Sequence, residues 1–284
     1  MIMTKIVLIS FADKRFRNAL KRLEGYTKEF PFTERHFHTQ DNTFTKAYWR
    51  RLRPWLYRRG YGYWEWKSRL IKQSLKTIND GDFLIWSDVG VFWNSSTKAL
   101  KRFSEYLSMM TNGINVLTFQ EPYIEQEWTK GDLLMALGVY NDKEICNSYQ
   151  LWSGVFLLKK SKDICDMIDK WDEINKIDKE LVTDKSSTVP NKDGFKEHRH
   201  DQSSFSILVK RMPHIEISYK ETHPEEGNWD SLVDYPILGR RHKLEGRPLF
   251  EIIRNKLLRP WRMILFVYFR HYRHYYFRGN SYPW

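Results

Sequence analysis

Two short clusters in this chain carry the residue types that chemistry needs. The first is Ser87-Asp88-Val89-Gly90, an acid and a glycine directly after the apolar run Phe83-Leu84-Ile85-Trp86. The second is Glu197-His198-Arg199-His200-Asp201-Gln202-Ser203, two imidazoles and two carboxylates ahead of an apolar-periodic stretch. A carboxylate can ligate a cation, accept hydrogen bonds from hydroxyls or take a proton, and an imidazole adds a base near neutral pH. Zinc held by His198 and His200 would need a third ligand, and none is adjacent. Two later histidines are further candidates, His223 in Thr222-His223-Pro224 and His242 in Arg240-Arg241-His242-Lys243-Leu244-Glu245-Gly246-Arg247-Pro248.

The elements around these clusters decide where their side chains point. Trp66, Leu70, Ile71, Leu75 and Ile78 recur at helical spacing, while Lys67, Arg69, Lys72 and Lys76 fall mostly between them, which predicts a helix with one buried stripe. Asn79-Asp80-Gly81 ends it. Phe83 to Trp86 is too short for a helix and lacks polar alternation, so it reads as a strand covered on both faces, with Asp88 and Gly90 delivered at its carboxyl end. In an open α/β sheet, ligands bind at that edge. Asp201 is expected to cap a helix from Gln202 to Arg211, with Phe205, Ile207, Leu208 and Met212 facing inward. In that arrangement the two histidines are either solvated or part of a catalytic or acceptor-binding region.

The rest of the chain alternates in the same manner. Lys5 to Ala12 predicts the first strand, rather than a signal peptide, and Asp13 to Leu23 a helix. Glu34 to Thr39, Asn115 to Phe119 and Val155 to Leu158 predict further strands, and Asp163 to Ile177 an amphipathic helix. Strands interspersed with helices imply an α/β fold with a mostly parallel Rossmann-type sheet. Thr183 to Glu197 is polar and punctuated by Pro and Gly, the composition of a mobile loop able to serve as a lid.

With 284 residues, 41% of them hydrophobic, the chain can bury one large core, so one domain with appendages is expected. Cys146 and Cys165 lack metal-ligand spacing and read as reduced thiols. The net charge of +12 is uneven: residues 46 to 72 carry +8 and residues 240 to 284 carry +9, so the remainder is at −5. Leu249 to Arg278 mixes cations with aromatics, and its longest stretch without a charged residue, Met263 to Phe269, cannot span a bilayer. The tail suits an anionic membrane surface or a helix packed on the domain. Nucleic acid is not expected as a partner, because no RNP-like strand or zinc finger is present.

Five stretches in order, GYGYWEWKSRLIKQSL, GDFLIWSDVG, EQEWTKGDLL, LWSGVFLLKKS and HRHDQSSFSIL, resemble bacterial glycosyltransferases of the capsule and lipopolysaccharide (O-antigen) type with a GT-A-like fold. The resemblance covers about residues 5 to 245; it implies a GT-A-like domain over 1–245 and leaves 246–284 as a basic, aromatic helical tail that associates with the membrane surface. It also implies a nucleotide-sugar donor and a glycan or lipid-linked acceptor, on a cytoplasmic protein peripheral to the inner face of the cytoplasmic membrane. In such enzymes an Asp-x-Asp motif binds Mn²⁺ or Mg²⁺ bridging the donor diphosphate; here Gly90 stands at the second acid, so Asp88 would need help from His242, or from His223. Arg240, Arg241 and Arg247 are alternative partners for the diphosphate. By the same resemblance Trp64, Lys67, Asp88, Gly90, Arg241 and Arg247 are expected at the donor, Trp152, Ser153, Gly154 and Gln202 at the acceptor, and Asp201 with His200 at the catalytic region. The missing second aspartate also fits a catalytically inactive carbohydrate- or anionic-lipid-binding module of this fold.

Overall fold

The structure is a computed structural model that describes residues 4–176, 180–224 and 227–239. In chain order its elements are β1 (Ile6–Ala12), α1 (Arg17–Tyr26), β2 (Glu34–Thr39), α2 (Lys46–Leu52), the single turn α3 (Gly60–Tyr63), α4 (Glu65–Leu75), β3 (Phe83–Ser87), β4 (Phe92–Trp93) and α5 (Thr97–Met109). There follow β5 (Val116–Ile124), the short helices α6 (Glu125–Trp128), α7 (Gly131–Ala136) and α8 (Lys143–Asn147), then β6 (Tyr149–Lys159), α9 (Lys162–Ile174), α10 (Asp201–Lys210), β7 (Ile215–Ile217) and β8 (Ile237–Leu238).

Six strands form one sheet in the order β2-β1-β3-β6-β5-β7. β1 pairs in parallel with β2 and β3, β5 pairs in parallel with β7, and only β6 runs against its neighbours. The α/β class and the mostly parallel sheet flanked by helices are thus as the sequence led us to expect; β6 is the antiparallel exception, and it is longer than Val155 to Leu158. A two-residue ladder between β4 and β8 fastens the end of the described chain beside the main sheet.

Both faces of the sheet are covered at its centre, which is why β1 and β3 read as nearly unbroken apolar runs, whereas the edge strand β2 is polar and only partly buried. Along β3, Leu84 and Trp86 point into a core shared with Leu70 and Ile71 of α4, Ile168 and Trp171 of α9 and Phe205 of α10. Phe83 and Ile85 point into the opposite core, with Leu23 of α1 and Phe103 and Tyr106 of α5. This period-two division is the one a pleated strand imposes.

The chain winds from β1 to β2 on one side and then crosses to β3 on the other. Order 2-1-3 places a topological switch point between β1 and β3, and the crevice outside their carboxyl ends is the place where open α/β sheets take ligands. Ser10 ties the two strands together there, its Oγ donating 2.6 Å to the carbonyl of Ser87.

Residues 180–200 contain no regular element, as the composition of Thr183 to Glu197 suggests, but they are fastened at several points. The Asp132 carboxylate accepts from the backbone N–H groups of Thr188 and Val189 at 2.8–3.0 Å. Asn191 accepts from the N–H of Gly131 at 2.8 Å, and the buried Lys130 donates to the carbonyls of Glu180, Thr183 and Lys185.

Candidate functional site

Asp88 is the first residue beyond β3, at the carboxyl edge of the switch point. Its backbone N–H donates 2.7 Å to the carbonyl of Gly154, and the N–H of Val91 closes a turn on the carbonyl of Asp88 at 3.1 Å. These two bonds fix the carboxylate without using its oxygens. One oxygen, Oδ1, accepts 3.0 Å from the indole N–H of Trp86, and the side chain remains 36% exposed. Gly90 lies inside the same turn, in open space: a Cβ there would meet nothing within 4 Å.

The cation facing Asp88 comes from α4. Helical spacing leaves Lys67 off the apolar stripe, yet the residue is 1% exposed. Its Nζ lies 2.8 Å from Oδ2 of Asp201, 3.4 Å from Oδ1 of Asp88 and 3.3 Å from the carbonyl of Ser153. Burial by itself depresses the ammonium, but the carboxylates of Asp201 and Asp88 outweigh it and hold the lysine above its ordinary value. Burial also lifts Asp201, against the pull of Lys67. Taking such a pair out of water is costly unless further hydrogen bonds complete it, and here Ser153 does so, its Oγ donating 3.2 Å to Asp201.

Asp201 therefore does not cap its helix. It is the first residue of α10, the capping position belongs to His200, and no side chain caps the N-terminus. Its carboxylate, 4% exposed, turns inward to Lys67 because an uncompensated buried ammonium would cost more than a missing cap. Gln202 reaches the same strand: its amide oxygen accepts from the N–H of Ser153 at 3.4 Å, and its amide nitrogen donates 2.7 Å to Gln150. Gly154 has a local reason to lack a side chain, since a Cβ would come within 2.3 Å of the Trp152 indole. That indole is buried, edge-on to Phe119 on one side and to His223 on the other.

His198 and His200 are buried rather than solvated, at 5% and 2% exposure. His200 has φ 56° and ψ −121°, a strained region for a side-chain-bearing residue. Its Nδ1 lies 2.7 Å from the carbonyl of Val182, and the ring stacks on Trp64 at 5.5 Å and 22°. Trp64 itself has φ 57°, as do Tyr61 and Tyr63 nearby at 56° and 51°, so the aromatic turn before α4 is wound by side-chain packing against its own preference. Burial, then the guanidinium of Arg59, lowers His200 to about 4, and burial with the neighbouring His200 lowers His198 well below its ordinary range. Arg59 joins turn and segment through ion pairs to Asp184 and Glu197.

The structure thus brings Lys67, Asp88, Ser153, Gly154, Asp201 and Gln202 into one contact network, with Trp64 and His200 as a stacked pair at its flank and Trp152 behind Gly154. Arg240, Arg241, His242 and Arg247 lie outside the described residues. Trp86 was missed by sequence reasoning, although an indole two residues before an acid at a strand end was a usable signal. Glu125 was missed as well: fully buried, it takes hydrogen bonds from Thr129, Gln150 and Ser206 and an ion pair from Lys210, and so braces Gln150 behind Gln202. No spacing marks it.

A divalent ion needs more than this network offers. Among the described residues no three His, Cys, Asp or Glu side chains converge to hold a metal, and Asp88 shares its Oδ1 with Lys67 and Trp86. Of the two carboxylates in the network Asp201 is buried against Lys67, which leaves Asp88 as the partly exposed one. Mn²⁺ or Mg²⁺ beside it would need its remaining ligands from donor phosphates and waters or from further side chains.

No protein-family model and no curated protein matches this sequence. Solved structures do resemble it. A glycosyltransferase involved in glycosylation of the major capsid of PBCV-1 is 12% identical, with 82% of this chain and 93% of that chain covered and a TM-score of 0.44. The galactosyltransferase LgtC, solved with donor and acceptor sugar analogs, is 18% identical over 77% of this chain and 75% of its own, with a TM-score of 0.39. GlyE of Streptococcus pneumoniae TIGR4 is 9% identical over 77% of this chain and 46% of its own, with a TM-score of 0.41.

Proposed function

We propose that this chain is a glycosyltransferase that moves a sugar from a nucleotide-sugar donor to a cell-surface glycan or lipid-linked acceptor. One observation carries the proposal: a partly exposed carboxylate, Asp88, stands at the carboxyl edge of the β1–β3 switch point, held by a buried lysine that a second carboxylate locks in place.

In this proposal Asp88 accepts hydrogen bonds from hydroxyls of the donor, and its backbone bonds to Gly154 and Val91 pre-set that geometry. Lys67, too deep to touch substrate, balances charge on Asp88. Asp201 is then a positioning residue, acting on substrate through Lys67. Trp64, half-buried and backed by His200, offers a face for a sugar ring. Arg241 and Arg247 are proposed to meet the leaving diphosphate, which gains charge as the sugar–phosphate bond of the donor breaks and the acceptor oxygen takes the sugar. Assignment to capsule or lipopolysaccharide synthesis belongs to the same proposal.

A panel of UDP-, GDP- and CMP-sugars, read by thermal shift and donor hydrolysis, tests it. A true donor at 100 times its dissociation constant stabilises the protein by about 2.7 kcal/mol. Asp88→Ala should keep the fold and lose both signals. Binding without turnover would favour an inactive carbohydrate-binding module; no response to any nucleotide would end the transferase proposal.

A further inference from the structure

Away from this site, the described surface includes an apolar tip ringed by cations. Residues 46 to 64 hold six Lys and Arg and no acid. Two of the six are engaged, Arg51 with Glu65 and Arg59 with Asp184 and Glu197. Lys46, Arg50, Arg53 and Arg58 are all exposed, with no ion pair among the described residues. In their midst Trp55 is 59% and Leu56 42% exposed.

The tip is built as a fixed projection. Arg53 ends α2 in the left-handed conformation, and its carbonyl accepts from the N–H groups of both Leu56 and Tyr57 at 2.9 Å. Leu52 and Pro54 are buried beneath it, so the chain is anchored on either side of Arg53 while Trp55 and Leu56 point to water. An exposed indole next to an exposed leucine is a poor match for water and a good one for the boundary between lipid headgroups and acyl chains. Unneutralised cations around it are complementary to lipid phosphate, each strengthening attachment to an anionic leaflet about fivefold.

We propose that this tip docks the protein on an anionic lipid surface, with Trp55 and Leu56 entering the headgroup layer and Lys46, Arg50, Arg53 and Arg58 meeting the phosphates. The inference stands apart from the proposed chemistry, since no residue of the tip belongs to the Asp88 network. Nucleic acid fits less well, because the centre of the patch is an apolar projection and not a groove with stacking faces.

Flotation of the full chain with vesicles of phosphatidylcholine plus phosphatidylglycerol, beside pure phosphatidylcholine, tests the inference. The wild type should float with the anionic vesicles only, and added salt should release it. Trp55→Ser with Leu56→Ser should lower partitioning about tenfold or more with the melting temperature unchanged, as both side chains already face water. Arg50→Glu with Arg53→Glu should do the same. Undiminished flotation of both variants would overturn the inference and move attachment elsewhere in the chain. So would failure of the wild type to float, or RNA binding that these substitutions weaken while no vesicle is bound.

Discussion

The ammonium of Lys67 stands 2.8 Å from the carboxylate of Asp201, and both groups are withdrawn from water, at 1% and 4% exposure. Residues 134 positions apart in sequence thus settle one another's charge, and through Lys67 the same pair reaches Asp88 at the solvent edge.

Breaking that pair should be costly. Lys67→Met leaves the Asp201 carboxylate buried without a counter-charge and should destabilise by about 3–5 kcal/mol. Adding Asp201→Asn should return part of the loss, with a coupling energy of about 1–3 kcal/mol in urea unfolding. Strict additivity of the two substitutions would show that the contact does not matter energetically.

Acid should weaken the fold through His200. In the folded protein burial and the Arg59 guanidinium hold the ring neutral down to about 4, whereas its ordinary value is 6.5. The unfolded chain binds more protons between those limits, so this stability is fully present above 6.5 and is lost as pH falls towards 4. Between pH 7 and pH 5 the loss from His200 is about 2 kcal/mol. Unfolding measured at both pH values should show it in the wild type, and His200→Phe should reduce the difference by about that amount, the buried His198 still acting in the same direction; an unchanged slope in the variant would assign the effect to other groups.

Two glycines near the site should respond differently to alanine. At Gly154 the new Cβ lies 2.3 Å from Nε1 of the buried Trp152, and relief requires moving that ring, at about 1–3 kcal/mol. At Gly90 the Cβ meets nothing, so stability should stay within about 0.5 kcal/mol. If Gly90→Ala nonetheless loses donor binding, the ligand passes against that turn; if it binds normally, the turn is free of the ligand.

Metal alone should leave the protein unmoved. With one partly engaged carboxylate among the described residues, Mn²⁺ without nucleotide should not raise the melting temperature, and EDTA should not lower it. A clear shift with Mn²⁺ alone would mean that further ligands join Asp88, with His242 the first to substitute.

Much of the architecture was legible because local pattern and global fold agree. The run Phe83 to Trp86 lacks polar alternation since helices cover both faces of β3, and the strand Glu34 to Thr39 matches its expected bounds. Features that rest on long-range contacts escaped, two of them at the site. β6 extends back to Tyr149 because Gln150 and Ser153 are polar in sequence yet buried by hydrogen bonds to Glu125, Lys67 and Asp201. The histidines of His198-Arg199-His200 lie inside because Trp64, Val182 and Lys130 enclose them, contacts that no spacing announces.

By itself the sequence determined the α/β class, the order of the main elements and the delivery of Asp88 to a strand's carboxyl end, since these follow from the periodicities of helix and strand and from short-range stop signals. Only the tertiary structure decided what Asp88 faces. Helical spacing assigns Lys67 to the open side of α4; the packing of α4 against α9 and β3, with the first residue of α10 set against it, closes that side and leaves the ammonium no water. Its charge must then be met by whatever the fold brings within reach, which is Asp201 from α10, Asp88 from β3 and Ser153 from β6.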